Sequence, residues 1–176
     1  MDEVRVLPCS LEDMARLERS GEGALRMAHH RQRWSMQQAN EARYLLAWQD
    51  DKVVGRVTVL HASKYAEVRA TYPCLWEMNA LEAVPQRRGV GTRLIAAAEA
   101  VAASGAAVAI GLAFEPGNRG AQRLYERLGY SDWGHGMVLD EWTERDVNDR
   151  VLLEHRTPCR YAVKFLGRPD PWHGTR

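Results

Sequence analysis

The chain has 176 residues, 45% of them hydrophobic and 27% charged, with a formal net charge of +1. That length suits one domain with a buried core, and that hydrophobic share excludes a disordered chain. A charge so near zero gives no general pull toward nucleic acid or an anionic membrane, so neither is expected as a partner.

In chain order, residues 4–7 read as a first strand, punctuated by Pro8-Cys9-Ser10. Ser10 is a good N-cap for a helix over 11–19, and Asp13 completes something close to a capping box. Gly21 and Gly23 interrupt, and 25–42 is polar and helical in propensity. Residues 43–48 and 52–60 are β-rich runs joined by Gln49-Asp50-Asp51, a hairpin signal. Their alternation is imperfect, as it is where both sheet faces are covered. Residues 62–73 read as a loop and 74–84 as a strand ended by Pro85.

The stretch that follows, Gln86-Arg87-Arg88-Gly89-Val90-Gly91-Thr92, leads into a strong helix former that stops at Ser104-Gly105. Residues 107–113 read as a short buried strand, Glu115-Pro116-Gly117 as a turn, and 118–128 as a helix stopped by Gly129. Residues 130–139 form a strand candidate in which Gly134 and Gly136 suggest a bulge or bend. Residues 140–159 are charged and carry no clear period, with helical propensity in the middle. Residues 160–166 read as the last strand, and the segment 167–176, with Pro169 and Pro171, as a flexible tail.

Cys9, Cys74 and Cys159 stand far apart and form no C-x-x-C pair, which reads against a disulfide framework and a zinc site. No metal is expected. Met-Asp-Glu is the wrong charge for a signal peptide, and the longest small-apolar run, 100–114, falls short of the ~20 residues of a membrane span. These features read as a cytoplasmic protein.

Strand, glycine turn and helix start, as at 86–92, point several unpaired backbone N–H groups at one spot, where the helix dipole also favours an anion. Gly89 and Gly91 let that anion approach the main chain. A P-loop would need lysine before the hydroxyl residue, but Thr92-Arg93 follows Gly91. A dinucleotide fingerprint would need glycine where Leu94 stands. What remains is Gln-x-x-Gly-x-Gly behind a strand and a proline. The run Leu81-Glu-Ala-Val-Pro-Gln-Arg-Arg-Gly-Val-Gly-Thr-Arg-Leu resembles the acetyl-CoA motif of the GNAT family of N-acetyltransferases. A second signature, Asn118-Arg-Gly-Ala-Gln-Arg-Leu-Tyr-Glu-Arg-Leu-Gly-Tyr, resembles that family's Asn-x-x-Ala…Leu-Tyr-x-x-x-Gly-Phe pattern, with Tyr130 in place of Phe.

The resemblance implies an α/β (α+β mixed) fold in one domain over 1–166, with a mixed twisted sheet of about six to seven strands and helices on both faces. It implies acetyl-CoA as cofactor, its pyrophosphate on Gln86, Arg87, Arg88, Gly89, Val90, Gly91 and Thr92. Leu81 and Ala83 would pair with the pantetheine amides, and a main-chain N–H over 81–83 would serve the oxyanion. Asn118 and Tyr125 lie seven residues apart, on one helix face about 10 Å apart along the axis. That spacing suits an extended arm, and the resemblance makes Tyr125 the acid that protonates the departing thiolate. The same two residues also read as an N-cap and as core.

For the base, Glu77 holds the position where some family members keep a glutamate. Glu82 and ordered water are the rivals. Simple alternation places Glu77, Asn79, Leu81 and Ala83 on one face and Glu82 on the other, unless a bulge intervenes. His29, His30, Trp34, Trp133, His135 and Trp142 fall where the family builds its acceptor pocket. No nucleophilic triad or metal spacing is present among the histidines, so direct attack in a ternary complex is expected. The acceptor is expected to be a primary amine of a small molecule. A protein or peptide amine is the alternative, and a non-catalytic acyl-CoA-binding regulatory module is the third reading. Dimers are common in the family, so a homodimer is a further expectation, with no residue placing its interface.

Overall fold

The computed structural model describes residues 3–21, 23–86, 88–145 and 150–167. Eight strands and five helices follow the order β1 (Arg5–Pro8), α1 (Leu11–Arg19), α2 (Ala24–Gln38), β2 (Ala42–Gln49), β3 (Lys52–Leu60), α3 (Ala66–Thr71), β4 (Leu75–Ala83), α4 (Val90–Ser104), β5 (Ala109–Phe114), α5 (Arg119–Arg127), β6 (Ser131–Asp132), β7 (Val138–Arg145) and β8 (Val151–Phe165). They form one mixed sheet in the order β1-β2-β3-β4-β5-β8-β6, with β7 pairing β8. Among the pairings, only β4 with β5 is parallel.

Local chemistry sets the element ends. Ser10 and Asp13 form the full capping box of α1: Asp13 N–H donates to Ser10 Oγ at 3.1 Å, and Ser10 N–H to Asp13 Oδ2 at 2.8 Å. Asp50 and Asp51 both adopt positive φ, as a two-residue turn of the mirror-image type I kind requires between twisted antiparallel strands.

Two departures from the expected elements have plain causes. Residues 66–71, expected as loop, make a short helix because Tyr65, Val68 and Tyr72 recur at helical spacing and are all buried. Residues 140–159, expected to hold helix, are strand in β7 and β8 on either side of 146–149, which lie outside the described residues. Neither half of that hairpin alternates cleanly, because much of it is exposed and paired only to the other half. Gly134 and Gly136, both at positive φ, split the expected strand over 130–139 into β6 and β7. Of the expected tail 167–176, all but Gly167 lies outside the described residues.

The sheet is covered on both faces. On one, α4 and α5 pack over Leu45, Ala47, Val57, Val59, Met78, Ile110 and Leu112. Gly55 lets α4 lie close on β3: a Cβ there would sit 2.8 Å from Leu94 Cδ1 and from the Glu82 carbonyl oxygen. Truncating the fully buried Leu94 to Ala would cost about 2–5 kcal/mol. On the other face, α1 and α2 cover Tyr44, Leu46 and Trp48, while Tyr65, Val68 and Tyr72 cover Leu75, Tyr161 and Val163.

Two irregularities in β4 position the site. Thr58 pairs with Asn79 but Arg56 pairs with Glu82, so β4 carries one residue too many, and Ala80 takes a φ of +53°. The pairing of β4 with β5 also stops at Glu77↔Gly111, and from there the two strands splay.

Candidate active site

At the end of β4 the chain passes a cis Val84–Pro85 peptide and reaches Gly89, whose φ of +79° makes it the left-handed N-cap of α4. The first bond of the helix runs from Arg93 N–H to the Gly89 carbonyl at 3.1 Å, so the amides of Val90, Gly91 and Thr92 have no partner within the helix. No side chain caps this end. A Cβ at Gly89 would meet nothing within 4 Å, and one at Gly91 would lie 3.9 Å from Ala83 Cβ and Leu124 Cδ2. The approach to the amides is therefore open. Val90 turns its side chain into the core and offers only its amide. Gln86 and Arg88 are exposed, Thr92 is half-buried, and Arg87 lies outside the described residues.

Beside this loop, the splay of β4 from β5 opens a cavity of about 360 Å³. One wall is the α5 face presenting Asn118, Ala121 and Tyr125. A second is residues 77–81 of β4, and a third 112–114 of β5. The far end is lined by Tyr65, Asp140, Trp142, Thr157 and Cys159. Asn118 caps α5, its Oδ1 accepting from Ala121 N–H at 3.0 Å, while it also lines the cavity. Tyr125 packs its ring 5.5 Å from Phe114, and burial pushes its phenol up to about 12. That hydroxyl is a proton donor at neutral pH.

Glu77 is almost wholly buried on the opposite wall. Its Oε2 accepts from Ser63 Oγ–H at 2.5 Å and from the Tyr161 hydroxyl at 3.0 Å. Burial pushes the carboxyl up from 4.5 to about 7, and the two hydroxyls and Lys64 restrain that rise. Nearby, the Tyr65 hydroxyl donates to Asp140 Oδ1 at 2.9 Å, and Lys64 pairs with the same carboxylate. Cys159 is a poor nucleophile, since burial and the neighbouring Asp140 and Glu115 carboxylates raise its thiol.

The bulge corrects the expected face assignment. Glu77 and Asn79 face the α2 side, opposite Leu60 and Thr58, and the extra residue brings Glu82 to that same side, opposite Arg56. Leu81 and Ala83 turn to the α4 face and pack on its core. Glu82 is bound to Arg56 at 2.5 Å.

Of the aromatic and histidine residues expected around an acceptor, the cavity includes Trp142. Trp133 is core, its Nε1–H donating to the Gly136 carbonyl at 2.6 Å, and His135 is exposed beside it. Trp34 packs against the α1–α2 core, and His30 is buried against the Tyr44 hydroxyl. Ser63, Tyr65, Asp140 and Tyr161 escaped sequence reasoning. Tyr161 alternates inward with Val163, which was a usable sign of burial, but nothing local connects it to Glu77.

The family model "Acetyltransferase (GNAT) family" matches residues 11–130. The chain belongs to the GNAT acetyltransferase family. No curated protein sequence matches it. Among solved structures, an N-acetyltransferase from Staphylococcus aureus Mu50 is similar at 10% identity and a TM-score of 0.66, over 94% of this chain and 99% of the other. A putative acetyltransferase from Salmonella typhimurium, solved with its cofactor acetyl-CoA, is similar at 14% identity and a TM-score of 0.63, over 97% and 99%. A ribosomal-protein-alanine N-acetyltransferase from Brucella melitensis is similar at 15% identity and a TM-score of 0.63, over 92% and 99%.

This GNAT chain is thus an acetyl-CoA-dependent acetyltransferase. The residues present fit that cofactor: open, uncapped amides at α4 lie beside a cavity that Leu81, Asn118 and Tyr125 share. Among the described residues, no group of His, Cys, Asp and Glu could hold a metal ion, and no helix is long and apolar enough to cross a membrane.

Proposed function

We propose that this acetyltransferase modifies the primary amine of a small molecule by direct attack in a ternary complex, with Glu77 as base and Tyr125 as acid. Acetyl-CoA supplies an activated acetyl thioester. The amides at the start of α4 and the side chains of Gln86, Arg87 and Arg88 would hold its pyrophosphate, and the edge of β4 over 81–83 its pantetheine. The acceptor nitrogen forms a bond to the acetyl carbon as the carbon–sulfur bond breaks. One proton leaves the amine toward Glu77, directly or through water, and Tyr125 gives one to the thiolate.

The observation that carries this reading is that one cavity holds both a carboxyl raised to about 7 and a phenol raised to about 12. Their protonation states suit opposite roles at neutral pH. Against Glu82 as base stands its tight pairing with Arg56. A small acceptor is favoured because β7 and β8 bring Asp140, Trp142, Thr157 and Cys159 onto the far end, narrowing the space beside Glu77.

A thiol-release assay with a panel of small amines and a panel of peptides tests the proposal. Turnover of small amines, lost in Glu77→Gln, is expected. Turnover confined to peptides would move the acceptor to a protein. Acetyl-CoA binding without turnover of either panel would favour a regulatory binding module.

A further inference from the structure

Between α2 and the sheet lies a second polar cluster that the transfer step does not use. His29 and Arg33 stand four apart on α2, and Arg56 and Thr58 share a face of β3. His29 Nε2, Arg33 Nε, Arg56 Nε and Thr58 Oγ1 are all shielded from solvent and have no hydrogen-bond partner. The groups are near neighbours. Burial, then Arg56, Arg33 and His30 in turn, push the His29 imidazole down to about 4, so it is neutral at pH 7. Arg56 also hydrogen-bonds Tyr44, whose hydroxyl is 2.7 Å from His30 Nδ1.

Charge does not balance there. Two guanidiniums face a single paired carboxylate, that of Glu82 on Arg56, among the described residues. The cluster thus carries a surplus of one positive charge beside four polar atoms in need of partners, and buried polar atoms are ordinarily satisfied. Its place in the sheet connects it to the cavity. Thr58 lies directly opposite Asn79, and Asn79 lines the cavity two residues from Glu77. The strand β3, which carries Arg56 and Thr58, lies one strand spacing, about 4.8 Å, from β4, which carries Glu77 and Asn79. The bulge at Ala80 keeps Glu77, Asn79 and Glu82 on this same face.

We propose that the acceptor carries a carboxylate as well as its amine, as an α-amino acid does, and that Arg33 and Arg56 clamp that carboxylate while the amine turns to Glu77. A planar guanidinium matches a carboxylate in a two-pronged bond. One negative charge neutralises the surplus, which a doubly charged phosphate would overshoot. The inference rests on the small-amine reading above and narrows it to an amine with an attached anion. The bond changes are those already given, and the clamp adds only position.

The test is calorimetric titration of the CoA-saturated protein with a panel of α-amino acids, each paired with the amino alcohol that lacks its carboxylate. At least one acid should bind about tenfold or more tightly than its alcohol, which is about 1.4 kcal/mol or more. Arg33→Gln should erase that gap, and Arg33→Lys should restore part of it. Arg33→Gln should also raise KM for the acid far more than it lowers kcat. Equal binding of acid and alcohol overturns the clamp. So does a gap that survives both Arg33→Gln and Arg56→Gln. Binding of no acid at all means the cluster holds water only, and overturns it too. A thiol-release assay on the same panel separates the two ideas. Turnover of alcohols but not acids sinks the clamp and leaves acetyl transfer to small amines standing. Acids that bind through Arg33 with no transfer to any amine sink the transfer reading and leave the clamp.

Discussion

The two ends of the candidate site solve different problems with different materials. The loop end is backbone: a left-handed Gly89 with open space before it, Gly91, and the first amides of α4. Its order comes from a single stretch of chain between β4 and α4. The opposite end is side chain: Glu77 from β4, Ser63 from the segment between β3 and α3, Asp140 from β7 and Tyr161 from β8. There, burial sets the protonation of a carboxyl, and hydroxyl donors trim the effect. An anchor made of amides is indifferent to most side-chain changes until a Cβ intrudes. A base tuned by burial is sensitive to each partner it has.

The comparison breaks most visibly at Glu77. Glu77→Gln should lower kcat by about 10²–10⁴, the range of a lost general base, while leaving acetyl-CoA affinity unchanged in a calorimetric titration. An unaltered kcat would hand the role to water or Glu82. At the loop end the split should reverse. Gly89→Val combines a strained positive φ with a filled approach, and should weaken acetyl-CoA binding by about a hundredfold, about 2.7 kcal/mol. Its kcat at saturating cofactor should change little, and full affinity would remove the loop from the cofactor site. Tyr125 lines the same cavity, and in the proposed role it would give only a proton that water can also supply, so Tyr125→Phe should cost less. A fall in kcat of about ten- to a hundredfold at constant cofactor affinity is expected.

The pH profile sharpens the contrast. A base at Glu77 would work only when ionised, so kcat/KM should rise through pH 7 and lose that limb in Glu77→Gln. The same shift leaves a trace in stability. The folded carboxyl holds a proton to about pH 7 that the unfolded chain releases near 4.5. Stability should therefore fall as pH rises between those values, and less steeply in Glu77→Gln, as thermal melts would show. The smallest effect is expected for Ser63→Ala. Losing a donor to the carboxylate should move the rising limb to higher pH, with cofactor binding intact. A limb that stays in place would mean the hydroxyl only packs.

Much of the loop end was legible because its signals are local. Proline, two glycines and a helix former sit in one run, and each acts through its own backbone. The capping box of α1 and the N-cap at Asn118 were legible for the same reason. The faces of β4 were not, because alternation fails at a bulge, and Ala80 is not a residue whose type announces a positive φ. Ser63 and Tyr161 were invisible as partners of Glu77, since they stand 14 and 84 residues away from it.

The sequence by itself determined the family, the cofactor and the glycine turn at the start of α4, because those rest on main-chain geometry set within a few residues. Tertiary structure alone decided which carboxylate is buried, which hydroxyls hold it and how Arg33 of α2 and Arg56 of β3 come together. Those depend on strands distant in sequence meeting across a sheet, and on the water that their meeting removes.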